Sequence, residues 1–451
     1  MLKNYIKIAY RNLLRHKSYS FINILGLAVG MACAILIMIW VQFELSYEQF
    51  NIKADRLYRI TAELPDLDVK AGISSAPLAD AFRKELPEIK DAVRLSVNHS
   101  DLLQVEDRMF EEKRIWFVDS TFLEMFSFKM IQGDLATSLD KPESIILTES
   151  MAKKYFGSEP ALGKTIRKNH KEDFIVTGVL ADLPENTQLQ FDFLQPMSFL
   201  ARTNNDLKTN KWDNFNFFTF LEFNESFQPS PEAFDRLEKK FNSIYKANEP
   251  NLKVVFHLQK LTDMHLHSNN FLAELPGIGN MQYVYIFIVV GIFILVVACI
   301  NFMNLATARS ARRAKEVGLR KVAGAARFQL IRQFLAESSL IAFIALALAV
   351  LIVTVSLPAF NDLAGKKLLF EFYNPTLILS LLGITLVTGL LAGSYPALFL
   401  SGFVPAKVLK GNIKAGAASS MFRNSMVVIQ FSVSIILLVG TGVVYNQLEF
   451  I

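Results

Sequence analysis

The sequence predicts a polytopic α-helical membrane protein with a large α+β extracytoplasmic domain inserted between spans 1 and 2. Three observations support this fold class. Five uncharged stretches each exceed the ~20 residues that a helix needs to cross a hydrocarbon core of about 30 Å. A segment of ordinary globular composition, residues 44–281, separates the first of these stretches from the other four. Basic residues are concentrated in the short segments that flank the spans.

The uncharged stretches explain why 52% of the 451 residues are hydrophobic. Buried helices of a soluble core are rarely this long, so each stretch predicts a membrane span. The first is expected to be a retained anchor, because no small-x-small cleavage site follows it. The five stretches are Ser18–Phe43, Leu275–Ala308, Ser338–Asn361, Phe372–Ala406 and Asn424–Leu448.

The distribution of charge predicts the orientation of the spans. Residues 1–17, 309–337 and 407–423 hold 17 of the 47 lysines and arginines but only 2 of the 42 acidic residues. Cytoplasmic loops of membrane proteins carry such an excess of basic residues. We therefore expect a cytoplasmic N-terminus, with 44–281 and 362–371 on the other side of the membrane.

Together these patterns predict the boundaries of the whole chain. Lys3, Lys7, Arg11 and Arg15 recur every four residues beside apolar positions, which favours a helix lying in the cytoplasmic headgroup layer. The predicted segments are an amphipathic helix at 1–19, spans at 20–43, 282–305, 332–357, 375–402 and 423–447, the outer domain at 44–281, a cytoplasmic coupling loop at 306–331, a short outer loop at 358–374 and a cytoplasmic linker at 403–422.

The outer segment mixes strand and helix patterns. RLYRITAEL, FSFKMIQGD, DFIVTGVL, FNFFTFLEF and VVFHLQKL are rich in the β-branched and aromatic residues that are typical of strands. PLADAFRKEL and PEAFDRLEKKFNSIY have helical spacing, with proline at or near the start. These patterns predict an α+β domain with a core of its own, in one or two lobes.

One stretch of the outer segment resembles a phosphate-binding loop. FGSEPALGKTI contains Gly163-Lys164-Thr165, but the first glycine of a phosphate loop would fall at Ser158. A helical pattern precedes the stretch and a strand pattern follows it, whereas a phosphate loop needs a strand first and a helix after. The sequence therefore predicts no nucleotide site here.

Two histidines are the other candidates for chemistry. His265 and His267 in LTDMHLHSN would share one face of a strand, as two metal ligands do, with Asp263 beside them. A structural role at a strand end is the favoured alternative. Cys33 and Cys299 both fall inside spans, so no disulfide framework is predicted. No catalytic residue, cofactor, metal site or nucleic-acid partner is predicted.

Several stretches together resemble the MacB/FtsX-type permeases of ABC transporters, over essentially the whole chain. They are RNLLRHKSYSFINILGLAVG, ELSYEQFN, YFGSEPALGKTI, VTGVLADLPENTQLQFDF, LTDMHLHS, KEVGLRKVAGAARFQLIRQFLAES and SYPALFLSGFVPAKVLKG. The resemblance is closest to the stand-alone permeases of Bacteroidetes. It implies a MacB-like periplasmic core domain at 44–281 and an FtsX-like membrane domain in spans two to four, within a bacterial inner membrane.

The resemblance also implies partners. The permease itself does not hydrolyse ATP; a separate ABC ATPase subunit binds beneath it, and its closure is passed to the periplasmic domain, with a periplasmic adaptor and an outer-membrane channel as further candidate partners. The family's loop after span two contacts the ATPase. Carried onto this sequence, that loop nominates Glu316, Val317, Gly318, Leu319, Arg320, Lys321 and Gly324.

Members of this subtype carry the layout twice. Arg423-Asn424 repeat Arg11-Asn12 at the start of the fifth span, so we expect a truncated unit that works as a dimer or with its missing half. The function implied is export or extraction of antimicrobial peptides, amphiphiles or lipoproteins. The alternative is an FtsX-like regulator that activates a periplasmic cell-wall hydrolase and transports nothing.

Overall fold

A computed structural model of the chain describes residues 11, 17–97, 100–308, 310–403 and 417–450. The chain divides into two compact units. Unit 2 is the continuous segment Phe43–Met281, and unit 1 comprises the residues before and after it. Most of the amphipathic helix expected at 1–19 and most of the linker expected at 403–422 lie outside the described residues.

The outer segment contains both helices and strands, as expected for an α+β domain. The described helices are α1 (Lys17–Leu45), α2 (Leu78–Glu85), α3 (Phe122–Met125), α4 (Glu149–Phe156), α5 (Met197–Leu200), α6 (Asn205–Thr209), α7 (Pro231–Asn248), α8 (Met281–Ala308), α9 (Ser310–Val322), α10 (Arg327–Ala364), α11 (Pro375–Ser401) and α12 (Ala417–Phe450). The described strands are β1 (Leu57–Leu64), β2 (Val69–Ala71), β3 (Ser74–Ser75), β4 (Ile89–Val97), β5 (Asp101–Val105), β6 (Arg108–Glu112), β7 (Ile115–Val118), β8 (Met130–Gly133), β9 (Ser144–Thr148), β10 (Thr165–Lys168), β11 (Glu172–Leu180), β12 (Phe193–Pro196), β13 (Phe215–Phe223) and β14 (Val255–Lys260).

The strands of unit 2 form one mixed sheet. Its order is β14-β1-β13-β4-β7-β12-β9-β11-β10-β5-β6, with β2, β3 and β8 paired to β1, β13 and β11. Only the β9–β11 and β7–β12 pairs are parallel among the pairs described. The strand patterns read at β1, β11, β13 and β14 and the helix patterns read at α2 and α7 are confirmed.

Three apolar clusters hold this sheet. One packs α2 and α7 on β1, β4 and β13, where the stacked rings of Phe82 and Phe241 lie 4.3 Å apart. A second surrounds Tyr155 and Phe174 at the β9–β11 end of the sheet. The third, around Trp116 and Phe191, lies on the opposite face of the sheet, because its strand residues alternate with those of the other two clusters. Clusters of this size supply the hydrophobic stabilisation that an independent domain requires.

The sheet edge at β14 is covered by side chains of α7. Asn242 accepts a hydrogen bond from the backbone N–H of Phe256 at 2.7 Å, and Glu238 accepts one from Leu258 at 2.8 Å. These contacts replace those that a further strand would make. They therefore protect this edge from pairing with another chain.

Unit 1 contains the apolar helices. Within the part of the chain that the structure describes, five helices are long and apolar enough to span a membrane: α1, α8, α10, α11 and, within α12, Asn424–Val443. The helix α10 runs from Arg327 to Ala364, so it extends beyond both ends of the span read from sequence as 332–357. The segment expected as a short outer loop, 358–374, therefore begins within a helix.

Small residues allow these helices to pack closely. A Cβ atom at Gly30 of α1 would lie 2.6 Å from the Cβ of Ala298 on α8, and one at Gly393 of α11 would lie 2.0 Å from Oγ of Ser338 on α10. Both glycines end a Gly-x-x-x-Gly pattern, with Gly26 and Gly389 at its start. Close backbone approach at such patterns is a main source of helix association in lipid.

Candidate functional site

The structure confirms the order of helix and strand predicted around Gly163-Lys164-Thr165, which differs from that of a phosphate-binding loop. The helix α4 precedes it and the strand β10 follows it, the reverse of the order that phosphate binding needs. The Gly163 amide donates to the carbonyl of Val176 at 2.8 Å, and Lys164 Nζ pairs with Glu159 at 2.6 Å. These groups are already satisfied within the domain, which makes the resemblance to a phosphate loop a coincidence of composition.

The expectation that His265 and His267 share a face of a strand is wrong. The strand β14 ends at Lys260, and both histidines lie in the turns that follow it. His265 is fully buried, whereas the side chain of His267 is exposed. Among the described residues, no group of three or more His, Cys, Asp or Glu side chains is placed to hold a metal. Cys33 and Cys299 are both free.

The nominated ATPase-contact residues lie on and just after helix α9. Its inner face is fixed to the neighbouring helices: Val317 is 1% exposed and packs against Phe334 of α10 and Ala397 of α11. Gly318 is also buried. Arg313 forms a two-point ion pair with Glu337 of α10, which is itself 6% exposed. The helix is thus anchored by both apolar and ionic contacts.

Some of the other nominated residues form hydrogen bonds to neighbouring segments. Arg320 donates to Gln333 at 2.8 Å and to Glu316 at 2.7 Å, while Lys321 donates to the carbonyl of Phe403 at 2.9 Å. Gly324 has a φ of +92°, so it ends α9 with the left-handed residue that a helix terminus often requires.

Two large apolar side chains of α9 face outward. Leu319 is 64% exposed and Val322 is 67% exposed. They are three residues apart and therefore neighbours on the helix surface. We call Leu319 and Val322 the outer face of α9. An anchored helix that exposes such a pair is suited to docking a partner, because the pair gains burial without reordering the helix.

A second candidate site lies within unit 2 and joins three stretches that are far apart in sequence. We call Glu44, Tyr47, Glu48, Asn186, Thr187 and His265 the linker cluster. The amide of Glu48 donates to the carbonyl of Asn186 at 3.0 Å, and the Asn186 side chain donates to the carbonyl of Ser46 at 3.0 Å. Nε2 of His265 lies 2.6 Å from Oε2 of Glu44. The cluster brings together ELSYEQFN, PENTQ and LTDMHLHS.

Glu48 of this cluster has a raised pKa. It is fully buried in a left-handed backbone conformation, with φ of 61°. Burial raises its pKa from the ordinary 4.5 to about 7, although Thr187, Gln188 and Asn51 all donate hydrogen bonds to its carboxylate. Because the folded protein holds the proton more tightly, Glu48 contributes most stability below about pH 4.5 and loses it as pH rises to about 7.

Fold and site define a multi-pass membrane protein with a large α+β domain between its first two spans. A family model described as MacB-like periplasmic core domain matches residues 20–224, and one described as FtsX-like permease C-terminal matches residues 288–405. The macrolide export ATP-binding/permease protein MacB of Aggregatibacter actinomycetemcomitans is 22% identical over 280 residues. The alignment covers 60% of this chain and 40% of that protein. The chain belongs to the MacB/FtsX-type permeases.

Two solved structures that are similar to this chain each cover less than half of it. A permease domain from Porphyromonas gingivalis is 22% identical, with a TM-score of 0.41 over 47% of this chain and 91% of that one. The periplasmic region of MacB from Actinobacillus actinomycetemcomitans is 17% identical, with a TM-score of 0.34 over 46% and 89%.

Sequence reasoning missed the contribution of Glu44 and Glu48 to the second site. Both lie in ELSYEQFN, a stretch that contributes to the family resemblance. The available signal was an acidic residue placed directly after an uncharged span, where a buried carboxylate needs a partner. That partner, His265, is 221 residues away.

Proposed function

We propose that this chain is the permease subunit of an ABC transporter, which couples ATP hydrolysis by a separate ATPase subunit to conformational change in the outer domain. The outer face of α9 carries this proposal. Leu319 and Val322 are exposed while Val317 and Arg313 anchor the opposite side of the helix. A rigidly anchored apolar pair transmits a push from a docked partner to α10 and α11.

The orientation that serves this function has the N-terminus and α9 in the cytoplasm of a bacterial cell, with unit 2 outside the inner membrane. The excess of basic residues around α9 supports it. Substrates on the outer side are proposed to be amphiphiles, antimicrobial peptides or lipoproteins. A periplasmic adaptor, an outer-membrane channel and a second copy of the chain are the proposed further partners.

Reconstitution tests this function. The tagged chain is purified from membranes with the ABC ATPase that accompanies it, and both are placed in liposomes that carry a fluorescent cationic peptide. ATP hydrolysis is expected only when the ATPase is present, and ATP is expected to remove the peptide from the bilayer. An ATPase that binds the chain without removing any amphiphile or lipoprotein supports the regulatory alternative. A chain that recovers no ATPase at all contradicts the proposal.

A further inference from the structure

Glu44, His265 and Gly279 form a closed contact within unit 2, which we call the clasp. The Glu44 carboxylate lies 2.6 Å from His265 Nε2, and the two side chains are 4% and 0% exposed. The ring of Tyr47 stacks on the His265 ring with 3.4 Å between centroids and 2° between planes. These contacts hold the imidazole in a single orientation.

Gly279 closes the clasp from the other side. A Cβ atom at this position would lie 2.6 Å from His265 Nε2 and 2.9 Å from Glu44 Oε2. The Gly279 amide also donates to the carbonyl of His265 at 2.9 Å, and the amide of Met281 donates to Leu266 at 3.2 Å. Only glycine allows the backbone to lie directly over the pair, and this close approach excludes water from it.

The clasp lies where the chain passes between the outer unit and the first two spans. Glu44 is the last residue but one of α1, and Gly279 comes two residues before α8 begins. The clasp therefore joins the residue that leaves the first span to the residues that enter the second. The rest of the linker cluster ties the same stretch to the loop at Asn186, through Glu48 and Ser46.

Stability alone is a poor explanation for the clasp. Burying a polar pair costs much of what its hydrogen bond returns, and a well-packed apolar pair of similar volume is often as stable or more so. His265 Nδ1 is also buried without a hydrogen-bond partner among the described residues, which adds to the cost. The polar pair adds a fixed orientation, because a short hydrogen bond restricts the distance and angle between two side chains more tightly than apolar contacts do.

We propose that the clasp is the joint that transmits movement of the first and second spans to the outer unit, with Glu44, His265 and Gly279 as positioning residues. This inference rests on the proposed function. Nucleotide-driven displacement of a span reaches a domain only through a rigid connection. Flexible peptide linkers alone would absorb it.

The test uses the full chain in complex with its ATPase in lipid nanodiscs. Amide hydrogen exchange is measured with and without ATP plus vanadate, at α9 and at the strands β1 and β14. The clasp is removed by Glu44→Leu/His265→Leu, which leaves no unpaired buried charge, and independently by Gly279→Ala. Glu44→Gln retains an acceptor for His265, and His267→Leu is the matched control on an exposed neighbour.

In the wild type, His267→Leu and Glu44→Gln, nucleotide is expected to change exchange at both α9 and the outer strands. In the double-leucine variant and Gly279→Ala, the change at α9 is expected to persist while that at β1 and β14 falls at least fivefold. Unchanged transmission in both clasp variants would overturn the inference while leaving the proposed function intact. A wild-type complex with no nucleotide response at α9 overturns both.

Discussion

The outer face of α9 gives the sharpest quantitative prediction. Complete burial of a leucine or valine side chain contributes about 1.5–3 kcal/mol. Leu319 and Val322 are 64% and 67% exposed. Docking can therefore contribute up to about two thirds of this burial free energy at each position. The upper limit for each truncation is therefore about 1–2 kcal/mol, which corresponds to a roughly 5- to 30-fold weaker Kd.

The variants Leu319→Ala and Val322→Ala are expected to weaken binding of the ATPase by this amount without lowering the stability of the folded chain. Alanine has the highest helix propensity, so α9 remains formed. Affinity is measured by titrating the labelled ATPase subunit against permease in nanodiscs. The thermal unfolding midpoint of the solubilised chain is recorded in parallel.

Val317→Ala is the matched control on the same helix. Val317 is 1% exposed and packs in the chain's own apolar cluster. Its truncation is expected to destabilise the chain by about 2 kcal/mol, since it removes two buried methyl groups and leaves a cavity. If Leu319→Ala and Val322→Ala each bind the ATPase as tightly as the wild type does, the outer face of α9 is not the docking surface.

Four further predictions follow from other parts of the structure. Lys164→Ala is expected to leave ATP hydrolysis by the reconstituted complex within a few fold of wild type, because Lys164 forms an exposed ion pair with Glu159; a loss typical of a phosphate-loop lysine would contradict this. Glu48→Gln is expected to flatten the decrease in the free energy of unfolding between pH 5 and pH 7; in the wild type the shift of the Glu48 pKa from 4.5 to about 7 accounts for about 2 kcal/mol of that decrease, and an equally steep decrease in the variant would show that another group titrates. Gly393→Leu is expected to separate α10 from α11 and lower the yield of folded chain, whereas equal yield would show that the close approach is dispensable. Cysteines at positions 100 and 310 are expected to react with an impermeant thiol reagent from opposite sides of intact cells, and labelling of both from outside would refute the orientation.

Local patterns were enough to predict many of the elements. The apolar stretches identified the membrane helices because crossing a hydrocarbon core demands a minimum uncharged length, whatever the neighbours are. The pattern FNFFTFLEF coincides with β13, and PEAFDRLEKKFNSIY lies within α7. The order of helix and strand around Gly163 excluded a phosphate loop without any knowledge of the tertiary fold.

The amino-acid sequence by itself determined these segments and the concentration of basic residues around α9. Both are properties of a continuous stretch of the chain and do not depend on tertiary contacts. Tertiary structure alone decided which side of α9 is available, because Val317 and Leu319 are equally apolar and only packing on α10 and α11 buries the first. It also decided that Glu44 meets His265 across 221 residues. Such a contact depends on the path of the chain through the sheet, which brings residues that are distant in sequence close together. No periodicity in either stretch predicts that path.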